Sequence, residues 1–374
     1  MAGKKAVAED YEDISFTFSI EKTTDNGEDA DPILSIKERM VWIGVFDGLG
    51  GSGSEQYLYN GESRTGAYIG SREVQRIVSD QIEKIPRRLS SLRKGVMSAL
   101  FTKEIKRKLN DAYSKIANED SSDAPRFKGS LIRKFPTTMA LALFRNSQKK
   151  NHYKVNVMWA GDSRIYVFNP DGLNQITKDH LLGDLDAQAN LSSDSPMSNA
   201  ISAQKDFLID EIAFNLEMNF IEFPTFIIAA TDGCFGYFDT PVQFEYALLD
   251  TMQRAGSLQE WKDLLIKELQ KVTKDDMSMS LFGVGVRRKE FKDVAKRFKG
   301  RHEYIKQLLA PLIEISAELK ERIERVSDYF KKKKKNEISD IWNGKEDNGK
   351  GYKKDYEKYY EQNPEKDSVA RLKP

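Results

Sequence analysis

Two stretches constrain this chain more than any others: MVWIGVFDG at 40–48 and TFIIAATDG at 225–233. Each is a continuous apolar run without polar alternation, the pattern of a strand covered on both faces. Each then stops at an acid followed by glycine. Asp-Gly alone is a common turn pair, because glycine accepts φ > 0 and aspartate bonds to nearby backbone. A hairpin, however, needs a second strand at once. After Asp47 come Gly48, Leu49, Gly50, Gly51, Ser52 and Gly53, and after Asp232 come Gly233, Cys234 and Phe235. Neither continuation alternates. Both acids therefore read as strand-end groups facing a cleft, where a rigid scaffold carries function on its loops.

Other segments supply the remaining elements. ISFTFSIEK (14–22) alternates as a strand, and the polar stretch TTDNGEDADP (23–32) carries Glu28 and Asp29. A loop over 48–63 leads into helical patterns over 64–117, broken near Pro86, and a loop follows at 118–130. PTTMALALF (136–144) reads as a strand. KVNVMWAGDSRIYVF (154–168) reads as a hairpin turning at Gly161-Asp162-Ser163, with a second turn at Asp171-Gly172. Residues 181–203 read as a mobile flap and 241–273 as mostly helical. MSMSLFGVGV (277–286) is a final strand entered from Asp275-Asp276. Helices come in blocks between groups of strands whose sequential pairs look antiparallel. The expected fold is α+β, with antiparallel sheets covered by helices rather than a doubly wound parallel sheet.

Composition narrows the chemistry. The single cysteine, Cys234, excludes a disulfide framework and a cysteine zinc site, and three histidines, His152, His180 and His302, weigh against a histidine-rich metal site. No stretch approaches the ~20 apolar residues of a membrane span, and MAGKKAVAEDYED has no apolar leader segment, so a cytoplasmic location is expected. Residues 289–374 hold 23 Lys+Arg against 17 Asp+Glu, which leaves the part before them acidic. An acidic front part suits a carboxylate site for cations.

Acids recur at strand margins: Glu28 and Asp29 before one, Asp47 and Asp232 after two, Asp275 before the last, and Asp162 at a turn. Clustered carboxylates repel unless a cation lies among them. Oxygen donors without His or Cys select hard ions such as Mg²⁺ or Mn²⁺. Two such ions held about 3.5–4 Å apart suit attack on phosphorus.

In order along the chain, these motifs resemble the metal-dependent serine/threonine protein phosphatases of the type 2C family. DNGEDA (25–30) is similar to the family's Asn-x-Glu-Asp segment, and VFDGLGG (45–51) to its Val-x-Asp-Gly-x-Gly-Gly. FPTTMALALF resembles its Gly-Thr-Thr strand, AGDSRIYVF its Gly-Asp-Ser-Arg segment and ITKDH (176–180) its Leu-Thr-x-Asp-His. AATDG and DDMSMSLF resemble its Ser-Asp-Gly and Asp-Asn-x-Ser/Thr strands. The resemblance covers about 12–288. It implies a four-layer αββα sandwich with a two-metal cleft and hydrolysis of phosphoserine or phosphothreonine in proteins.

By that resemblance Asp47 bridges two Mn²⁺ or Mg²⁺ ions, the Gly48 carbonyl binds one, and Asp232 and Asp275 bind the other. Glu28 and Asp29 bind directly or through water, and Asp162 stands at a position associated with a third, weaker ion. Arg164 would brace its segment and His180 would serve as a structural hydrogen-bonding residue. The expected partners are a phosphorylated protein and a cognate serine/threonine kinase, without membrane or nucleic acid. Four departures stand out. Thr24 occupies the place of a phosphate-binding arginine, with Lys22 the nearest cation. Leu49 points to a bacterial-type enzyme, Pro136 replaces a glycine and Asp276 an asparagine. The missing arginine leaves open an alternative, a metal-binding adaptor without turnover. Residues 1–288 are read as the phosphatase-like domain and 289–374 as a charged helical extension with a polar tail. In that extension Ile305, Leu308, Leu312, Ile315, Leu319, Val326 and Tyr329 follow the 3/4 spacing of a coiled-coil-like seam, broken at Arg322.

Overall fold

The computed structural model describes residues 13–37, 40–85, 95–119, 133–146, 152–181, 197–217, 223–287 and 290–311, with single positions at 322, 325 and 332. Two five-stranded antiparallel sheets dominate. In the first the order is β1 (Asp13–Ile20), β14 (Met277–Arg287), β13 (Thr225–Ala230), β9 (Arg164–Asn169) and β10 (Gly172–Gln175). In the second it is β12 (Asp210–Glu217), β8 (His152–Ala160), β7 (Met139–Asn146), β3 (Met40–Phe46) and β2 (Ala30–Lys37).

The apolar runs at 40–46 and 225–230 are buried along their whole length because both faces are covered. Val41, Ile43 and Val45 point to the inter-sheet core and meet Ile227 and Ala229 of the facing sheet, while Trp42 and Phe46 point to the helical side. There α1 (Gly66–Lys84) and α2 (Val96–Glu119) cover the second sheet with Ile69, Ile77, Phe101 and Ile105. The first sheet is covered by α4 (Pro241–Arg254) and α5 (Leu258–Leu269). Trp261 of α5 packs edge-on against Phe16 and Phe226, with centroids 5.4 and 5.5 Å away, and donates to the Leu248 carbonyl of α4 at 3.2 Å. The expected αββα layering is therefore the observed one.

Three local readings change. The segment 154–168 is not a hairpin: β8 pairs with β7 and β12, whereas β9 pairs with β13 and β10, so Gly161-Asp162-Ser163 carries the chain from one sheet to the other. The loop at 48–63 contains a small hairpin, β4 (Gln56–Tyr59) and β5 (Glu62–Thr65). Thr137 of the PTT segment belongs to a separate short strand, β6 (Lys134–Thr137), paired with β11 (Ile201–Ala203). Pro86, the loop residues 120–130 and most of the flap, 182–196, lie outside the described residues.

The chain divides into two compact units, 1–306 and 307–374. The first of these units extends past residue 288 to 306. The reason is a helix, α6 (291–306 within this unit), whose Phe291 and Phe298 enter the layer of α4 and α5. Phe298 packs against Phe168 with centroids 4.7 Å apart, Phe291 lies 5.8 Å from Trp261, and Arg301 pairs with Glu245 at 2.6 Å. Of the second unit only 307–311 and the three single positions are described. The seam from Leu312 onward, the run Lys331 to Lys335 apart from the single position 332, and the tyrosine-rich tail lie outside them. Among the described residues no helix is long and apolar enough to cross a membrane.

Candidate metal centre and active site

Asp47 follows β3 directly, and its peptide is clamped. Its carbonyl accepts from Thr137 Oγ1 at 2.6 Å and from the Thr138 amide at 2.8 Å, and its own N–H donates to Thr138 Oγ1 at 3.3 Å. Gly48 is required by close approach, since a Cβ there would lie 2.5 Å from the Glu28 carbonyl and 2.7 Å from that of Ala67. Asp232 opens the short helix α3 (Asp232–Phe235) after β13. A Cβ on Gly233 would fall 1.8 Å from the Asp276 carbonyl, so the second Asp-Gly also admits a neighbouring backbone. The two sequence-similar corners thus have one physical cause: a strand end pressed against another chain segment.

Asp29 is buried and accepts from Thr231 Oγ1 at 3.0 Å. Glu28 accepts from Thr65 Oγ1 at 2.6 Å, while Thr65 also caps α1 by accepting the Tyr68 N–H at 3.1 Å. Asp275, just before β14, accepts from Tyr237 Oη at 3.3 Å. Asp162 sits in the sheet-to-sheet crossover, and its Oδ1 is buried without a hydrogen-bond partner. A buried carboxylate oxygen with nothing to bind is costly unless a cation or water completes it.

These acids feel one another. Burial, then the charges of Asp232, Asp29, Asp162 and Asp275, hold the Asp47 carboxyl well above the usual carboxylate range. Burial and then Asp276 and Asp232 do the same to Asp29. Asp162 is pushed up to about 8 by burial and Asp232, and Asp232 to about 6 by burial and Asp275. Glu28 is raised by burial, with Asp276 and Asp275 adding to it. The structure therefore brings Glu28, Asp29, Asp47, Asp162, Asp232 and Asp275 into one electrostatic neighbourhood. Among the described residues, no group of three or more His, Cys, Asp or Glu is drawn together tightly enough to hold an ion as it stands. The neighbourhood nonetheless fits a hard divalent cation: the donors are all oxygen, one buried oxygen is orphaned, and their mutual repulsion is what a cation relieves.

Several supporting roles were not evident in the sequence. Asp276 clamps the loop before Glu28, its Oδ1 accepting the Lys22 N–H at 2.7 Å and its Oδ2 the Glu28 N–H at 2.6 Å. An asparagine could offer only one oxygen there. Arg64 and Arg72 grip the same loop from outside, donating to the Asp25 and Gly27 carbonyls, and both guanidiniums lie over the Tyr68 ring. Thr24 is exposed in the turn that they hold. Arg164 braces not a hairpin but the crossover between the sheets, with Nη2 2.6 Å from Asp179 Oδ2, and His180 accepts the Gly161 N–H at 3.0 Å.

Comparison of the sequence with protein-family models and with curated proteins finds no match. Solved structures do match. The serine/threonine phosphatase Stp1 from Staphylococcus aureus superposes with a TM-score of 0.52 at 15% identity, over 76% of this chain and 99% of that one. A bacterial serine phosphatase gives 0.51 at 17% identity, over 74% and 99%. A sex-determining protein of C. elegans gives 0.52 at 12% identity, over 79% and 69%. At these identities what is shared is the fold.

Proposed function

We propose that the chain is a metal-dependent protein phosphatase acting on phosphoserine or phosphothreonine. The observation that carries this reading is the convergence of mutually repelling carboxylates, Asp29 buried and the others half-buried, at one end of a sandwich whose fold is shared with serine/threonine phosphatases. Asp47, the Gly48 carbonyl, Asp232 and Asp275 would hold two Mn²⁺ or Mg²⁺ ions, with Glu28 and Asp29 completing the set and Asp162 offering a place for a third. When bound, the ions supply Lewis-acid polarisation of phosphoryl oxygens and a water nucleophile at neutral pH.

The chain's own contribution is placement. Thr137 and Thr138 hold the Asp47 peptide, Thr65 turns Glu28 inward, and Asp276 fixes the loop that presents both Glu28 and Asp29. No arginine stands at Thr24, so the phosphate dianion relies on the ions for charge compensation. The substrate class is a phosphorylated protein, and a cognate serine/threonine kinase is the expected counterpart. The test is phosphate release from a phosphothreonine peptide with Mn²⁺, with Mg²⁺ and with EDTA. Turnover restored by either ion supports a phosphatase. Ion binding without turnover would instead mark an adaptor.

A further inference from the structure

We propose that His180 is a positioning residue that fixes the crossover bearing Asp162, through one imposed tautomer of its ring; this deepens the metal-dependent reading of the same site. The crossover has little to hold it from inside. One of its oxygens, Asp162 Oδ1, makes no hydrogen bond, so the backbone on either side carries much of the carboxylate's placement. On one side Ser163 Oγ meets Thr138 Oγ1 at 2.6 Å. On the other, His180 grips Gly161 twice. The Gly161 N–H donates to the ring Nδ1 at 3.0 Å, and the Gly161 carbonyl accepts the His180 N–H at 3.0 Å. Gly161 has φ +98°, and a Cβ there would lie 2.6 Å from Thr138 Cγ2, so this peptide has no slack in which to drift.

The ring's protonation pattern follows from its neighbours. Asn199 is oriented by Leu208, whose N–H donates to Oδ1 at 3.1 Å and whose carbonyl accepts from Nδ2 at 2.9 Å. That orientation aims the same Nδ2 at His180 Nδ1, 3.1 Å away. Two N–H donors converge on Nδ1, which therefore carries no proton and acts as acceptor. The proton sits on Nε2, 3.1 Å from Asp210 Oδ2. Trp159 stacks parallel to the ring at 6.3 Å and fixes its plane. Asp210 and Asn199 thus select the tautomer, the tautomer holds Gly161, and Gly161 places Asp162. This is the arrangement by which residues outside a metal site tune the groups within it.

The test separates the two ring nitrogens. In His180→Asn the short side chain keeps an acceptor near the place of Nδ1. In His180→Gln the longer one reaches the place of Nε2 and abandons Gly161. Amide hydrogen exchange at Gly161 in EDTA-treated protein is expected to stay slow in the Asn variant and become fast in the Gln variant. The Mn²⁺ concentration giving half-maximal thermal stabilisation should rise roughly 10–100-fold in the Gln variant and far less in the Asn variant. Should the His180 variants fail to fold, Asp210→Leu, at a half-exposed side chain, removes the tautomer's partner and should also quicken Gly161 exchange. Equal Gly161 protection in the Asn and Gln variants would overturn the proposal. So would a Gln variant that loses protection with its Mn²⁺ midpoint unchanged. Because the exchange measurement needs no metal, it decides the His180–Gly161 link even if the metal reading itself fails.

Discussion

The Glu28 amide donates to Asp276 Oδ2 at 2.6 Å, while the other oxygen of the same carboxylate accepts the Lys22 amide at 2.7 Å. One side chain at the head of β14 thereby ties down both ends of the loop that delivers Glu28 and Asp29. Asp276→Ala leaves two amides without that acceptor, at a cost of about 1–3 kcal/mol each where they are sheltered from water. The expected outcome is weaker metal binding, with half-saturation only at higher Mn²⁺, and Asp276→Asn intermediate because it keeps one oxygen. Metal titration of activity and of thermal stability checks this, and equal midpoints for the three proteins would count against the clamp.

The acids set a pH dependence that metal should reverse. Asp162 is pushed up to about 8 and Asp232 to about 6. Their carboxyls keep protons in the folded state that the unfolded chain releases near pH 4. A group whose folded value is raised subtracts stability as pH rises between the two values. Metal-free protein should therefore lose Tm from these groups between about pH 4 and 8. Excess Mn²⁺ should raise Tm more at pH 8 than at pH 5, and Asp162→Asn should flatten the metal-free slope. Differential scanning fluorimetry in EDTA and in Mn²⁺ measures all three; a larger Mn²⁺ effect at pH 5 would contradict the assignment.

Phe298 is fully buried against Phe168 and Phe226. Phe298→Ala should cost about 3–5 kcal/mol, as for other large core truncations, read from urea unfolding. A chain ending at Lys306 should keep the sandwich's stability and its hydrolytic activity. One ending at 288 exposes the Phe168, Phe226 and Trp261 layer and should be strongly destabilised. Equal stability of the two truncations would show that α6 contributes nothing.

What the sequence made legible follows from where the physics is local. The strands at 40–46 and 225–230 were readable because burial on both faces writes a continuous apolar run. The segment 154–168 was misread because Gly-Asp-Ser serves equally well for a strand that turns back and one that crosses to another sheet. Only the partners of β8 and β9, far away in the chain, distinguish them. β2 was hidden by its polar start and Pro32, tolerated because β2 is an edge strand with a register shift between Ala30 and Ile33. The acids announced themselves through Asp-Gly corners. Thr65 and the clamping role of Asp276 did not, since a side chain bonding a distant residue leaves no periodic trace.

Thr24 allows a gain-of-function test. An arginine there would add charge-assisted hydrogen bonds to a phosphate, each worth about 1.5–3 kcal/mol. Thr24 is exposed in its turn, so the substitution should not disturb the core. Thr24→Arg should lower KM for a phosphopeptide, with kcat and metal dependence little changed. An unchanged or higher KM would show that this turn does not border the phosphate.

In the proposed function, Asp47 and Asp232 hold catalytic metal where the two sheets' strand ends meet. The most direct measurement of this is initial-rate hydrolysis of a phosphothreonine peptide at saturating Mn²⁺ by the wild type, Asp47→Asn and Asp232→Asn, with metal-free Tm recorded for each. Removing one of several repelling buried charges should leave metal-free Tm unchanged or higher. Turnover should fall by roughly 100-fold or more in both variants, on the scale of losing a principal electrostatic contributor. Near wild-type turnover in Asp47→Asn, from a protein whose wild type is Mn²⁺-dependent, would contradict the account.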